Sequence, residues 1–135
     1  AMKASTPETR IQMFREQLRA LMEAPPGSAV VFEIPGRPLA YVQLERTPEG
    51  LRGEVCSGDW GPRRRARPLP RAAQERLRGM GWILPPRLRE QNPFKPFSPG
   101  DPEAIAQEIE RIFREIYQCP PDYTVRTEGV LHAKP

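Results

Sequence analysis

The sequence predicts an α+β domain in which an antiparallel sheet packs against N- and C-terminal helices. Two observations carry this. Residues near each end repeat apolar side chains at helical spacing. Between them lie three segments of alternating residues, separated by turns too short for a parallel crossover. The predicted order is α-βββ-α-β(β)-α, a three-stranded meander plus one or two short strands.

The first helix opens at Ser5-Thr6-Pro7-Glu8, which has the form of a capping box: a serine with a glutamate three residues on, and a proline in the first turn. Ile11, Phe14, Leu18, Leu21 and Met22 then form one apolar stripe. Arg10, Glu16, Arg19 and Glu23 fall outside it, and Pro25-Pro26-Gly27 ends the helix. The strands follow over 28–34, 39–45 and 51–57. Val30, Phe32 and Ile34 share one face of the first, and Ala40, Val42 and Leu44 one face of the second. Leu51, Gly53 and Val55 share one face of the third. Their opposite faces carry Val31, Tyr41, Gln43, Glu33, Glu45 and Glu54, so one sheet face is covered and the other is wetter.

Residues 58–70 read as a loop holding Trp60 and the run Arg63-Arg64-Arg65-Ala66-Arg67. A short helix spans 71–80, with Ala73, Leu77 and Met80 inward and Gly81 as a left-handed stop. Trp82-Ile83-Leu84 is a candidate fourth strand, and residues 92–95 a fifth. The last helix carries the clearest signal. Asp101 caps it, Pro102 fits its first position, and Ile105, Ile109, Ile112, Phe113 and Ile116 form its stripe. A further short strand is expected over 123–127. The domain boundaries are therefore 6–127 for a single domain, 1–5 for an N-terminal tail in which Ala1 reads as a cloning scar before Met2, and 128–135 for a flexible tail.

At 135 residues and 38% hydrophobic content, the chain suits one core rather than a disordered segment. No apolar run approaches the roughly 20 residues that span a bilayer. The start lacks an apolar signal-peptide region, so a cytoplasmic protein is expected. The net charge is +4, and of 21 basic residues only Lys3, Lys95 and Lys134 are lysine.

Neither catalytic nor metal-binding residues are implied, and no cofactor. His132 is the sole histidine and lies in the expected tail. Cys56 and Cys119 are far apart without C-x-x-C spacing, and read as free thiols or, less simply, as a disulfide or a reactive site. No phosphate-binding glycine loop is present. Glu33, Glu45 and Glu54 are placed to face one another across the meander, as solvent-side carboxylates or an acid/base pair. An enzyme with an unrecognised site would use Glu54 or Asp59 with Arg52. The Arg63–Arg67 run beside Trp60 reads as a solvated loop, a surface for an acidic partner, or a nucleic-acid contact. Trp60, Trp82, Phe94 and Phe97 either cover the end of the core or line an apolar groove for an extended peptide.

Several segments, in order, resemble the TY-Chap family of bacterial domains related to type III secretion chaperones and YbjN-like proteins. They are Ala24-Pro25-Pro26-Gly27-Ser28, Val30-Val31-Phe32-Glu33-Ile34, Tyr41-Val42-Gln43-Leu44 and Leu51-Arg52-Gly53-Glu54-Val55-Cys56-Ser57. Leu69-Pro70, Leu77-Arg78-Gly79-Met80-Gly81-Trp82, Asn92-Pro93-Phe94, Ile116-Tyr117 and Pro120-Pro121-Asp122 complete the set. Leu69 stands where members usually place a capping Ser, Thr or Asp, and Pro93-Phe94 where many have an aromatic pair. The resemblance implies a type III secretion chaperone-like fold, a non-enzymatic role with a protein or peptide client, and often a homodimer. On this reading the partner surface comprises Tyr41, Gln43, Trp60, Arg63, Arg64, Arg65, Trp82 and Phe94. Binding would combine apolar anchoring with strand pairing along a sheet edge.

Overall fold

A computed structural model describes residues 5–134. The expected scar at Ala1 and start at Met2 lie outside the described residues. The helices are α1 (Pro7–Met22), α2 (Arg71–Gly79) and α3 (Pro102–Arg111), the last continued by a wider π turn over Ile112–Ile116. The strands β1 (Ala29–Ile34), β2 (Arg37–Arg46), β3 (Leu51–Val55) and β4 (Phe94–Phe97) form one antiparallel sheet in the order β1-β2-β3-β4. This is the predicted α+β order with a single added strand. Residues 82–84 contribute only one bridge, Ile83 to Phe94, because β4 itself takes the place beside β3. Likewise 123–127 makes one bridge, Arg126 to Glu33, rather than a strand.

Register divides the sheet cleanly. Val30 lies opposite Leu44, Leu44 opposite Gly53, and Gly53 opposite Lys95. On the other face Val31, Gln43, Glu54 and Phe94 form one row, since each is the partner of the next. The first set joins the helices in a single core, in which Phe14, Phe32 and Phe113 are fully buried. Phe14 meets Phe32 edge-on at 4.9 Å and stacks on Phe113 at 6.1 Å, so α1 is wedged between the sheet and α3.

Gly53 has a specific reason to lack a side chain. A Cβ there would fall 2.8 Å from the Trp82 indole. The bare strand lets Trp82 lie flat against the sheet, 3% exposed, with Phe97 edge-on at 6.2 Å. Its indole N–H donates to Glu108 of α3 at 2.9 Å, and Lys95 of β4 pairs with the same carboxylate at 3.0 Å.

Two local readings change at α1. The cap is Thr6, whose hydroxyl accepts from the Thr9 amide while Thr9 returns the bond; Ser5 instead donates to the carbonyl of Tyr123. Arg10, expected outside the apolar stripe, is only 3% exposed. Its guanidinium grips Glu110 of α3 with two bonds, at 2.8 and 2.7 Å, and lies 3.9 Å over the ring of Tyr123. Tyr123 donates its hydroxyl to Glu110 at 2.6 Å. Every charge in this cluster is met by an opposite charge or a hydrogen bond, the condition under which burial is tolerated.

The chain beyond 127, expected as a tail, runs along the outer edge of β1. Leu131 exchanges backbone bonds with Ala29, and the Ala133 amide donates to the Ser28 hydroxyl at 2.8 Å. At the opposite edge, Phe94 is paired with Ile83 and Pro96 has no N–H to offer. Edge pairing with a client, expected from the sequence, therefore finds Ala29, Glu33 and Phe94 already bonded.

Two predictions follow from the interior. Arg10→Met strands the Glu110 charge and is expected to cost about 3–5 kcal/mol in urea unfolding. Arg10→Met/Glu110→Gln, which removes both charges and keeps an acceptor for Tyr123, is expected to lose clearly less; equal losses would show that charge burial is not the cause. The second concerns pH. Burial is the first cause that raises the proton affinity of Cys56, Cys119, Tyr41, Tyr117 and Tyr123, and for Tyr123 the Glu110 carboxylate adds to it. The folded state thus holds these protons more tightly than the unfolded chain. Their contribution is complete below the ordinary thiol and phenol values and is lost as pH rises through the alkaline range. Unfolding midpoints should fall steadily above about pH 9.

Candidate functional site

With the core on one side, the opposite face of the sheet is left half-exposed. It carries Val31 and Glu33 from β1, Tyr41, Gln43 and Glu45 from β2, Arg52 and Glu54 from β3, and Phe94 from β4. The three glutamates do not face one another. Glu33 lies opposite Tyr41, Glu45 opposite Arg52, and Glu54 opposite Gln43. Two of them are engaged by arginine: Glu33 with Arg126 at 2.7 Å, and Glu54 with Arg52 at 3.3 Å. The Arg52 guanidinium also lies 4.6 Å over the Phe94 ring, which holds that ring against the strand.

One buried residue organises the end of this face. Asn92, 6% exposed, accepts at its carbonyl oxygen from the Ser57 amide (3.1 Å) and the Trp60 indole N–H (2.7 Å). Its amide nitrogen donates to the Tyr41 hydroxyl at 3.2 Å. Below it, the buried Tyr117 hydroxyl is shared between the carbonyls of Cys56 (2.8 Å) and Tyr41 (3.0 Å). The π turn makes this possible. Its widened step, closed by the Tyr117 amide on Ile112 at 3.1 Å, turns Ile116 and Tyr117 inward together.

The structure therefore brings together Tyr41, Gln43, Phe94 and Trp60. It separates Trp82 from them, since that residue belongs to the core. Arg63, Arg64 and Arg65 are exposed on a turn that begins at Pro62, held down by buried Ala66 and Leu69. Arg63 is engaged by Asp59 at 3.4 Å, and Asp59 also holds Arg89 at 3.2 Å, so Asp59 is a structural clasp. Gly58 joins this turn to β3: with φ of 75° and a Cβ position 1.9 Å from the Arg67 carbonyl, it admits no side chain. Sequence reasoning did not single out Asn92 or Arg37 as site residues. Asn92 was legible only as part of a motif, because its three partners are distant along the chain.

Cys56 and Cys119 are both buried and free. Among the described residues, no three His, Cys, Asp or Glu side chains cluster as a metal site. No described helix is long and apolar enough to cross a membrane.

Replacing Asn92 with Ala leaves the Ser57 amide and the Trp60 indole without their acceptor. The expected loss is about 1–3 kcal/mol. The Trp60 indole resonance in a proton–nitrogen spectrum should move and exchange faster with solvent, while that of Trp82 stays in place.

A family model described as TY-Chap3, "T3SS (YopN, CesT) and YbjN peptide-binding chaperone 3", matches residues 11–129. No curated protein matches the chain, and no solved structure does.

Proposed function

The chain belongs to the TY-Chap3 family of peptide-binding chaperones, and on that premise we propose that it holds a client segment across the open face of its sheet without chemistry of its own. The observation that carries this is the one-sidedness of the fold. All core residues of the helices gather on one sheet face, and the other presents Val31, Tyr41, Gln43 and Phe94 half-exposed. A row with Val31 and Phe94 at its ends and Gln43 and Glu54 between them suits a peptide that offers apolar side chains on either side of polar ones. Docking on the face rather than at an edge also fits the bonds already made at Ala29, Glu33 and Phe94. A homodimer would meet the same restriction and use a face. Two buried free thiols accord with a reducing, cytoplasmic setting.

The candidate acid/base groups support the non-enzymatic reading, because Glu54 is engaged by Arg52, and Asp59 by Arg63 and Arg89.

Peptides selected from a displayed random library supply the test. Tyr41→Ser and Phe94→Ser should each weaken the selected peptides roughly five- to tenfold; Phe94→Ser should leave the thermal unfolding midpoint little changed, whereas Tyr41→Ser also removes the acceptor of the Asn92 amide and should lower it. Peptides that bind both variants as well as the parent protein would place the site elsewhere.

A further inference from the structure

Four arginines converge at the end of the sheet where β2 departs from its pairing with β1. The register passes from Glu33–Tyr41 directly to Ile34–Arg37, so residues 38–40 bow outward. The bow and the basic turn enclose a cleft of about 480 Å³, lined by the apolar Leu39 and Ala40 and by Arg37, Arg64, Arg65 and Arg67. No acidic residue lines it.

These four differ from most arginines of the chain. Among the described residues none of them pairs with a carboxylate, whereas Arg52, Arg63, Arg89 and Arg126 all do. Two are nonetheless held in place. Arg37 donates to the Tyr117 carbonyl at 3.3 Å, and Arg67 to the carbonyls of Arg64 and Ala66 at 3.2 and 2.8 Å. Neutral carbonyls fix the guanidinium groups but leave their charge uncompensated. The turn that carries Arg64 and Arg65 is itself pinned at Gly58, Ala66 and Leu69. The result is a preorganised, short, cationic cleft with an apolar wall, next in the chain to Tyr41 of the open face.

We propose that this cleft takes a cluster of acidic side chains at one end of the client segment. The inference rests on the peptide-binding reading above. Planar guanidinium forks match carboxylates in pairs, and Leu39 and Ala40 give the aliphatic stems of Asp or Glu a surface to cover. A nucleic-acid strand fits less well. The unpaired positive charge is confined to one end, and on the adjoining sheet face Arg52 and Arg126 are already engaged by Glu54 and Glu33, which leaves no cationic track for a continuing line of phosphates. Arg63, part of the basic run by sequence, is replaced in this site by Arg37, which lies far from the run along the chain.

Calorimetric titration of the full chain tests the assignment with a synthetic peptide that has a Leu- and Phe-containing core followed by four acidic residues. Its counterpart carries glutamine at those four positions. The acidic peptide should bind roughly tenfold or more tightly at low salt, with the advantage shrinking as salt rises. Arg64→Gln/Arg65→Gln, two exposed side chains, should abolish that advantage without changing thermal unfolding. Arg19→Gln/Arg71→Gln removes the same charge elsewhere on the surface and should preserve it. Both peptides are amidated at the C-terminus, so that the comparison reads side-chain carboxylates alone. Equal binding of the acidic and glutamine peptides, an advantage that survives Arg64→Gln/Arg65→Gln, or displacement of the peptide by a single-stranded oligonucleotide of equal charge overturns the assignment. In the first of these cases the glutamine peptide still binds at Tyr41 and Phe94, so the cleft fails while the sheet-face reading stands. Binding of neither peptide overturns both.

Discussion

The ion pair between Arg10 and Glu110 sets the terms on which the rest of the fold is assembled. It lies between the first and last helices, almost entirely out of water, and it recruits Tyr123 as both a hydrogen-bond donor and a ring beneath the guanidinium. Charges of this kind are stable in the interior only when every partner is in position. Both helices and the segment after α3 must therefore arrive together. Ser5 and the third Arg10 nitrogen, which donates to the Tyr123 carbonyl at 3.1 Å, tie the start of the chain to the same point. The apolar core supplies most of the stabilisation in such a domain, but it tolerates many small shifts of packing. The ion pair, with its two bonds and the Tyr123 ring against the guanidinium, ties one point of α1 to one point of α3.

That alignment fixes what remains open. Because α1 and α3 lie together on one side, the sheet has a covered face and a bare one. Trp82, Glu108 and Lys95 extend the covered side to β4, closing it with a network that links the last strand to α3. The bare face is then free to carry ring and side-chain amide groups with no structural duty in the core. Its geometry is maintained from the end, through Asn92 and the Tyr117 hydroxyl, rather than from beneath.

Much of this was legible in the sequence. The stripes of α1 and α3, the alternation of the three long strands and the glycine after α2 each depend on neighbours close along the chain, and periodicity reports such neighbours directly. Tyr41 and Gln43 fall on the face that alternation assigns them, and β4 adds Phe94 to it. The misreadings share a different cause. Arg10 looked like a solvent residue because its identity says charge and its partner lies a hundred residues away. Trp82, open in the sequence between core and groove, looked like part of the partner surface because nothing local reveals that Gly53 makes room for it in the core. Thr6 displaced Ser5 as the cap because threonine at position 9 returns the bond as well as a glutamate would. Asn92 and Arg37 were passed over for the same reason as Arg10: their roles exist only when distant segments meet.

The short stretch of chain laid against β1 has a consequence for a protein that handles other polypeptides. An unfolded chain and an unpaired strand attract each other through the backbone, whatever their sequences. A holder with bare margins would grow by addition, layering clients onto itself without choosing among them. With one margin bonded to Arg126 and Leu131 and the other interrupted by a proline, this sheet offers side chains rather than backbone. On the proposed sheet-face reading, what such a holder retains is decided by composition and charge, and what it releases leaves no seam behind.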